Sequence, residues 1–357
     1  MKSILLTTTA IVAFAGAAAA DGHAGVSFSG SATLGYNTDD AGTGDNDGFY
    51  ADAAIDVSMV AALDNGITAT VTASLDDIVH EADVFDFDDL TLEIASENAS
   101  LTFGGTDPSA DKHWSGVDGD TVGDFRGQTE HFGTFEAIIR GEATMSGVTA
   151  SVSYGIQGQD DTSPHFGALQ VAAVAEVSGF TVIGAYEAKD DDYGLDSQMG
   201  VSVAGAVSGF DVKAAYSTTE DDNTSSLGLS VAYPVGAVTV GGYYSMNSSD
   251  DATKALDAYG LDVSYSDGPI SISADYDMIQ DASEGTWEVD ANYDTGLGAV
   301  IHAGLNSAEA YYIAATYDLG GGASLLASYA VDDAGSSDEI GEDDLQEGMT
   351  VEVSFSF

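Results

Sequence analysis

The chain is built largely from short segments in which apolar and polar residues alternate. In the first such segment, Val26, Phe28, Leu34 and Tyr36 fall on one face, and serines and a threonine fall on the other. A period of two is typical of a β-strand with one apolar and one polar face. The pattern recurs to the C-terminus, where Phe355 and Phe357 alternate with serines. The sequence therefore predicts an all-β protein.

Two segments thirty residues apart repeat one hairpin unit. Residues 178–186 read SGFTVIGAY and residues 208–216 read SGFDVKAAY, so each opens on a Ser-Gly turn and ends on a tyrosine. Internal repeats of this period indicate an array or a barrel. Short turns at one end of the strands alternate with longer acidic loops at the other end, as in outer-membrane barrels. About ten hairpins, and so roughly twenty strands, can be counted, which predicts a large transmembrane antiparallel up-and-down β-barrel.

Composition and charge narrow the function. The 357 residues include 60 Asp and Glu but only 7 Lys and Arg, giving a formal net charge of −53. Nucleic acid is excluded as a partner by this charge, because binding it relies on neutralising phosphates with basic groups. There is no cysteine for a disulfide framework or a cysteine metal site. Solubility in saline surroundings is an alternative explanation of the acidity.

The N-terminus has the features of a secretory signal. Lys2 provides the positive charge, residues 4–15 the short apolar core, and residues 18–20 the small-residue cleavage site. We expect residues 1–20 to be a cleaved signal peptide and residues 21–357 to form the barrel. Beyond the signal, no apolar run approaches the ~18 residues of a membrane helix.

A soluble sandwich is the structural alternative to a membrane barrel. It would bury the apolar faces against a second sheet. That arrangement leaves unexplained the tyrosines at strand ends and the Ser, Thr, Asp and Glu on every opposite face. In a wide barrel the inward residues can line an aqueous channel instead.

One stretch, residues 104–133, lacks alternation and carries Pro108 and Trp114. A loop this long in a compact fold is usually functional or disordered. Alternation resumes after it, with Glu136, Arg140 and Glu142 on the inner side. Trp114 is expected to pack against the barrel wall.

Taken together, these features resemble the general diffusion porins of alphaproteobacteria, of the Rhodobacter type. The resemblance rests on the opening strand at residues 26–30 (VSFSG), the long loop at 104–133, the turn at 317–324 (YDLGGGAS), and Phe357 preceded by Phe355. It implies an outer-membrane homotrimer whose third loop folds inward to narrow the pore. It also implies that assembly machinery reads the C-terminal aromatic strand. The family type has sixteen strands, fewer than the hairpin count here.

Selectivity in such a pore comes from charged side chains at its narrowest point. The wall acids expected to face inward outnumber the inward basic residues Arg140 and Lys213, so we expect cation selectivity. The candidate constriction residues are Asp107, Asp111, Lys112, Asp118, Asp120, Asp124, Arg126, Glu130, Glu136, Arg140, Glu142 and Lys213. The wall acids are Asp52, Asp56, Glu93, Glu136, Glu142, Glu176, Asp211, Asp262, Asp275, Glu288, Asp290 and Glu352.

Two further expectations concern ligands and chemistry. Acidic loops, for example Asp190, Asp191 and Asp192, could hold calcium or stay solvated, and divalent ions could bridge such acids to lipopolysaccharide phosphates. The sequence contains no Gly-x-Ser-x-Gly elbow, phosphate loop or histidine cluster that would indicate an enzyme. The function predicted is a passive channel for small hydrophilic solutes and ions. The alternatives are a substrate-specific channel, which should show a line of inward aromatic residues, and a secreted or surface β-repeat adhesin.

Overall fold

The computed structural model describes residues 24–38, 48–63, 66–75, 89–117, 137–156, 166–190, 195–220, 223–252, 255–331, 339–340 and 345–357. In these residues twenty antiparallel strands form one sheet in which each strand pairs with its neighbours in chain order. The last strand pairs with both β19 and β1, and this pairing closes the sheet into a barrel.

The barrel strands are β1 (Ala24–Asn37), β2 (Gly48–Ala62), β3 (Thr68–Leu75), β4 (Leu90–Ala95), β5 (Ala99–Gly104), β6 (Ala137–Met145), β7 (Val148–Ile156), β8 (Phe166–Val177), β9 (Phe180–Glu187), β10 (Gln198–Val207), β11 (Phe210–Thr219), β12 (Ser225–Val235), β13 (Val238–Ser248), β14 (Ala258–Asp267), β15 (Ile270–Ile279), β16 (Thr286–Asp294), β17 (Ala299–Asn306), β18 (Tyr311–Gly320), β19 (Ala323–Val331) and β22 (Gly348–Ser356). The two-residue strands β20 (Glu339–Ile340) and β21 (Leu345–Gln346) pair with each other in the connection from β19 to β22. A single helical turn, α1 (Ser109–His113), follows β5.

The count of twenty strands confirms the number expected from the hairpins and exceeds the sixteen of the family type. The repeated Ser-Gly turns are tight because both residues take positive φ. Ser178 and Gly179 have φ of 54° and 85°, and Ser208 and Gly209 have 54° and 87°. Two consecutive positive φ values are those of a type I′ turn, whose twist matches that of a two-stranded hairpin. The repeat therefore specifies hairpins directly.

The two faces of the wall differ as the alternation predicts. Large apolar side chains on the outer face are about half exposed, for example Leu261 at 62% and Ile313 at 56%. The fully buried side chains among the described residues are mostly small or polar, such as Ser153 and Ser226. No second sheet covers the apolar face in the described part of the chain, which excludes the sandwich. The inner face is polar and surrounds the lumen.

None of the helices among the described residues has the length and apolar character needed to cross a membrane.

Candidate functional site in the barrel lumen

The loop after β5 folds into the barrel and lies on its inner wall. α1 contacts β7, β8 and β9. At its start, the backbone N–H of Ser109 donates to Oγ of Ser153 at 2.8 Å, and the Ser109 hydroxyl lies 2.8 Å from that of Ser151. Both wall serines are inward residues of β7, buried beneath the helix. The expected inward third loop is confirmed for the described residues up to Val117.

Gln170 of β8 provides the central attachment of this loop. Its Oε1 accepts the backbone N–H groups of Ala110 at 2.9 Å and Asp111 at 3.3 Å. Its Nε2 donates to Oε2 of Glu187 on β9 at 2.6 Å, and Gln198 of β10 donates to the other carboxylate oxygen at 3.0 Å. Gln170 and Glu187 are almost completely buried. A buried carboxylate with this many donors fixes the geometry strongly.

A bulge in β8 lies immediately before Gln170. The pairing with β7 shifts between Ser153 and Gly155, and Ala168 takes a φ of 49°. The backbone N–H of Ala168 donates to Oδ2 of Asp190 at 2.8 Å. Bulges often re-aim a side chain beside a functional site. Here the residue that follows the bulge holds the inward loop.

Trp114 fixes the next part of the loop against β10. A Cβ atom at Gly200 would lie only 2.4 Å from the Trp114 ring, so only glycine leaves room for the indole. Trp114 also packs beside Ala110 and Ala185. Beyond it, Nζ of Lys213 on β11 donates to Oγ of Ser115 at 2.6 Å. The expectation that Trp114 packs on the wall is confirmed.

Charged residues of the loop pair with β6. Nζ of Lys112 lies 3.1 Å from Oε2 of Glu142, and Nε2 of His113 lies 2.8 Å from the same oxygen. Arg140 is 7% exposed, and its guanidinium donates to the backbone carbonyl of Asp107. The cationic side chains near the loop are thus partly engaged in holding it.

Six of the candidate constriction residues are therefore brought to one side of the lumen, along β6 to β11. They are Asp107, Asp111, Lys112, Arg140, Glu142 and Lys213. The other six, Asp118, Asp120, Asp124, Arg126, Glu130 and Glu136, lie outside the described residues.

A row of carboxylates crosses the inner wall on another part of the barrel. Asp262 of β14 pairs in register with Asp275 of β15, which pairs with Glu288 of β16. Neighbouring strands lie about 4.8 Å apart, so the three carboxylates share a strip about 10 Å wide. Their sequence neighbours Leu261, Val263 and Trp287 are exposed on the outer face. No lysine or arginine lies on β12 to β19, on β22 or on β1 to β5 among the described residues.

Three inward tyrosines each cross a glycine to reach a carboxylate two strands away. Tyr243 lies over Gly260 and donates to Oδ1 of Asp277 at 2.6 Å. The same arrangement joins Tyr312, Gly304 and Asp290, and also Tyr50, Gly35 and Glu352. These tyrosines belong to β13, β18 and β2, so they do not form the line of aromatic residues that a substrate-specific channel would need. They brace the wall instead.

Three of the residues that hold the loop, Gln170, Glu187 and Gly200, are not among the candidates predicted from the sequence. Gln170 and Glu187 are equally distant from the Ser178-Gly179 turn, so the hairpin register alone pairs them. Gln170 also interrupts an otherwise apolar run. Those two signals could have found this pair, whereas nothing local indicates that Gly200 lies under Trp114.

The acidic loops contain the candidate calcium ligands. Among the described residues, no group of three or more His, Cys, Asp and Glu side chains is placed to hold a metal ion. Of the calcium candidates, Asp190 accepts the Ala168 N–H, and Asp191 and Asp192 lie outside the part of the chain that the structure describes.

Comparisons with known proteins supply the family. The sequence model described as Gram-negative porin matches residues 7–337. The chain belongs to the Gram-negative porin family. A search of curated proteins finds no significant match.

Solved structures of other porins resemble this porin in outline. A triple mutant of the Rhodopseudomonas blastica porin has 15% sequence identity, with 93% of this chain and 100% of that chain covered and a TM-score of 0.45. A porin structure refined at 1.8 Å has 16% identity, the same two coverages and a TM-score of 0.42. The porin is thus an outer-membrane β-barrel that forms a water-filled channel for passive diffusion of small hydrophilic solutes and ions. Family membership indicates a channel rather than an enzyme and removes the adhesin alternative.

Proposed function

We propose that this porin is cation-selective. The observation that carries the proposal is the row Asp262, Asp275 and Glu288 on the wall of β14 to β16. The described lysines and arginines lie on β6 to β11 or on the loops that follow β5 and β9, and Lys112 and Lys189 are in ion pairs with Glu142 and Asp196. A passing cation therefore meets carboxylates on a part of the wall whose described residues include no lysine or arginine.

The distance over which the three carboxylates act on ions supports cation selectivity. At physiological ionic strength the screening length is ~8 Å, comparable with the width of the strip formed by the three carboxylates. Such a strip raises the local concentration of cations and lowers that of anions. Screening shortens to ~3 Å at 1 M salt, so selectivity should weaken there.

The test is the reversal potential of the purified porin in a planar bilayer across a KCl gradient. Cation selectivity gives a potential of the sign set by K⁺ diffusion, and the potential shrinks when both solutions are made more concentrated at a fixed ratio. A reversal potential of the opposite sign would contradict the proposal.

We further assign the constriction to residues 104–133 and the adjoining inner wall of β6 to β11. Its proposed lining comprises Asp107, Asp111, Lys112, Asp118, Asp120, Asp124, Arg126, Glu130, Glu136, Arg140, Glu142 and Lys213. The contacts of α1 with Gln170 and of Trp114 with Gly200 support the inward position of its first part. Exclusion of neutral polymers of graded size from the channel would measure the resulting limit.

The outer face of β2 to β6 supports assembly as a homotrimer. Its outward residues include no tyrosine or tryptophan, in contrast to outward Tyr36 on β1 and Tyr154 on β7. Interfacial aromatic girdles are typical of lipid-facing barrel walls. β4 and β5 have six residues each, fewer than the ~9–11 that cross a bilayer. A second copy of the chain would cover this part of the barrel, where the strands are short. The family resemblance implies three copies.

Replacing a small residue by tryptophan tests this surface. Ala73→Trp places a bulky ring on the proposed interface of β3 and should dissociate the trimer in mild detergent, as measured by mass with light scattering. Ala274→Trp is the matched control on the outer face of β15, where a ring meets lipid and the trimer should persist. Equal masses for the two variants would contradict the assigned interface.

We propose that export removes residues 1–20. The apolar segment and small residues before Asp21 support this, and residues 1–23 lie outside the described part of the chain. Intact mass and N-terminal sequencing of protein from outer membranes should give a chain beginning at Asp21. A chain beginning at Met1 would contradict it.

We also propose that barrel-assembly machinery reads the C-terminal strand. Phe357 closes the barrel through two 3.0 Å backbone hydrogen bonds with Gly30, and the residue is 46% exposed. Deleting Phe357 should lower the amount of porin in outer membranes, whereas Phe355→Tyr should not. Undiminished insertion after the deletion would contradict this proposal.

At the outer surface we propose that divalent ions bridge loop carboxylates to lipopolysaccharide phosphates. The acidic loops support this, since hard divalent cations prefer carboxylate and phosphate oxygens. Chelator treatment should release lipopolysaccharide from the purified porin, and added Ca²⁺ should restore it. No change in bound lipopolysaccharide would contradict the bridge.

A further inference from the structure

An apolar patch interrupts the polar inner wall on β18 and β19. The apolar side chains that face inward there are Ala314 on β18 and Leu326 and Ala330 on β19, with Ser328 between the last two. Elsewhere the inward positions are mostly Ser, Thr, Asp, Glu, Gly or Asn. Apolar side chains facing an aqueous lumen would be unfavourable unless something covered them. Their burial shows that they are covered: Ala314 is 2% exposed and Ala330 is 0% exposed.

Leu345 covers this patch. It is 3% exposed and packs among Ala310, Tyr312, Ala314 and Ala330. Leu345 belongs to β21, whose pairing with β20 joins Leu345 to Ile340 and Gln346 to Glu339. In the described part of the connection from β19 to β22, the paired strands β20 and β21 therefore lie inside the barrel, with Leu345 against the inner wall.

The end of the segment is also attached to the wall. Nδ2 of Asn37, which is 1% exposed, donates to the carbonyl of Glu347 at 2.8 Å and to Oγ1 of Thr350 at 2.9 Å. This holds the chain between Leu345 and the first residues of β22. Two separate contacts thus fix the hairpin.

The hairpin lies across the lumen from α1. α1 rests on β7, β8 and β9, and Leu345 rests on β18 and β19. β8 and β18 are ten strands apart in the twenty-stranded barrel, so the two elements lie on opposite sides. Their depths are similar: Ala185 beside α1 is two residues from the rim end of β9, and Ala314 is three residues from the rim end of β18.

We infer that the β20–β21 hairpin is a second inward element that narrows the pore, opposite the α1 loop. A barrel of twenty strands is wider than one of sixteen, because barrel diameter grows with strand number. One inward loop occupies one side of such a lumen. A second element on the facing wall makes the opening a slot between α1 and the hairpin, and Leu345 is the buried residue that anchors the hairpin to that wall. The inference rests on the channel function of the protein.

Single-channel conductance tests the inference. Leu345→Asn puts a polar amide in the apolar patch and should release the hairpin, raising both the conductance and the size of the largest neutral polymer that enters. The matched control is Leu297→Asn at the turn between β16 and β17, where Leu297 is 80% exposed. The control should keep wild-type conductance. Heat-modifiable gel migration verifies that both variants are folded barrels.

A second measurement does not depend on current. The chain has no cysteine, so Leu345→Cys and Leu297→Cys each present a single thiol. A small water-soluble thiol reagent should modify Cys at 297 quickly and Cys at 345 much more slowly. Equal reaction rates, or a folded Leu345→Asn variant with wild-type conductance, would overturn the inference. Absence of any wild-type conductance would instead contradict the channel function itself.

Discussion

The hydroxyl of Tyr50 donates a 2.6 Å hydrogen bond to Oε2 of Glu352. Tyr50 lies on β2 and Glu352 on β22, and the tyrosine ring crosses Gly35 of the intervening strand β1. A Cβ atom at Gly35 would lie only 2.1 Å from the ring. The contact therefore spans the three strands at which the barrel closes, and it requires both the glycine and the acid.

Removing this hydroxyl should weaken the closure. Tyr50→Phe keeps the ring over Gly35 but leaves the Glu352 carboxylate without that donor. We expect the free energy of unfolding to fall by about 1.5–3 kcal/mol, the range for a hydrogen bond to a charged group. Urea unfolding in lipid, followed by tryptophan fluorescence, measures it. Tyr259→Phe on the outer face is the control, and equal losses for both would contradict the role.

The same bracing predicts that Gly304 is intolerant of a methyl group. A Cβ atom there would lie 2.2 Å from Oδ1 of Asp290 and 2.4 Å from the ring of Tyr312. We expect Gly304→Ala to displace the ring and to cost about 1–3 kcal/mol of unfolding free energy. Gly184→Ala is the matched control, because nothing lies within 4 Å of its Cβ position. A stability equal to that of the control would refute the packing described.

Gln170 should govern the mobility of the inward loop. Gln170→Ala removes the acceptor of two α1 backbone donors, which should lower the free energy of detaching the helix by about 1–3 kcal/mol. Detachment then becomes roughly tenfold more frequent for each 1.4 kcal/mol, so the open-channel current should become noisier. Gln198→Ala also removes a donor to Glu187 but lies one strand further from α1. Identical current noise in the two variants would exclude Gln170 as the anchor.

The carboxylate row should set part of the ion selectivity. Two unit charges about 10 Å apart in water interact by about 0.4 kcal/mol, which corresponds to roughly a twofold change in ion concentration. Because the K⁺ concentration falls and the Cl⁻ concentration rises, Asp275→Asn should reduce the K⁺ to Cl⁻ permeability ratio by about a factor of four at low salt, measured by reversal potential. Asp267→Asn, at an exposed turn between β14 and β15, should have little effect. A larger change in the permeability ratio for Asp267→Asn than for Asp275→Asn would contradict the role of the carboxylate row.

Much of the fold could be predicted from local sequence patterns. The side of each strand follows from alternation, and the structure confirms it at outward Leu261 and inward Asp262. The turns follow from Ser-Gly pairs whose positive φ values close hairpins. The inward direction of Tyr50, Tyr243 and Tyr312 follows from the same alternation. The strand number of twenty follows from the hairpin count, although the family resemblance suggested sixteen.

The attachments of the inward elements could not be predicted in the same way. Gln170 holds α1 through Ala110, which lies 60 residues before it in the chain. Gly200 makes room for Trp114, which lies 86 residues before it. No periodicity relates them, since each contact depends on which strands curve to face the loop after the barrel closes. Leu345 is a similar case, because a single leucine in an acidic stretch gives no sign of the apolar patch that it covers.

The sequence by itself determined the strands, their two faces, the hairpin turns and the acidic character of the lumen, because these depend on neighbours within a few residues. Tertiary structure alone decided where the carboxylates form a row, which wall carries α1, and that Leu345 lies across the lumen from it. The reason is that closing the sheet brings distant strands to fixed angular positions around one axis, and those positions follow from strand count and register rather than from any local pattern.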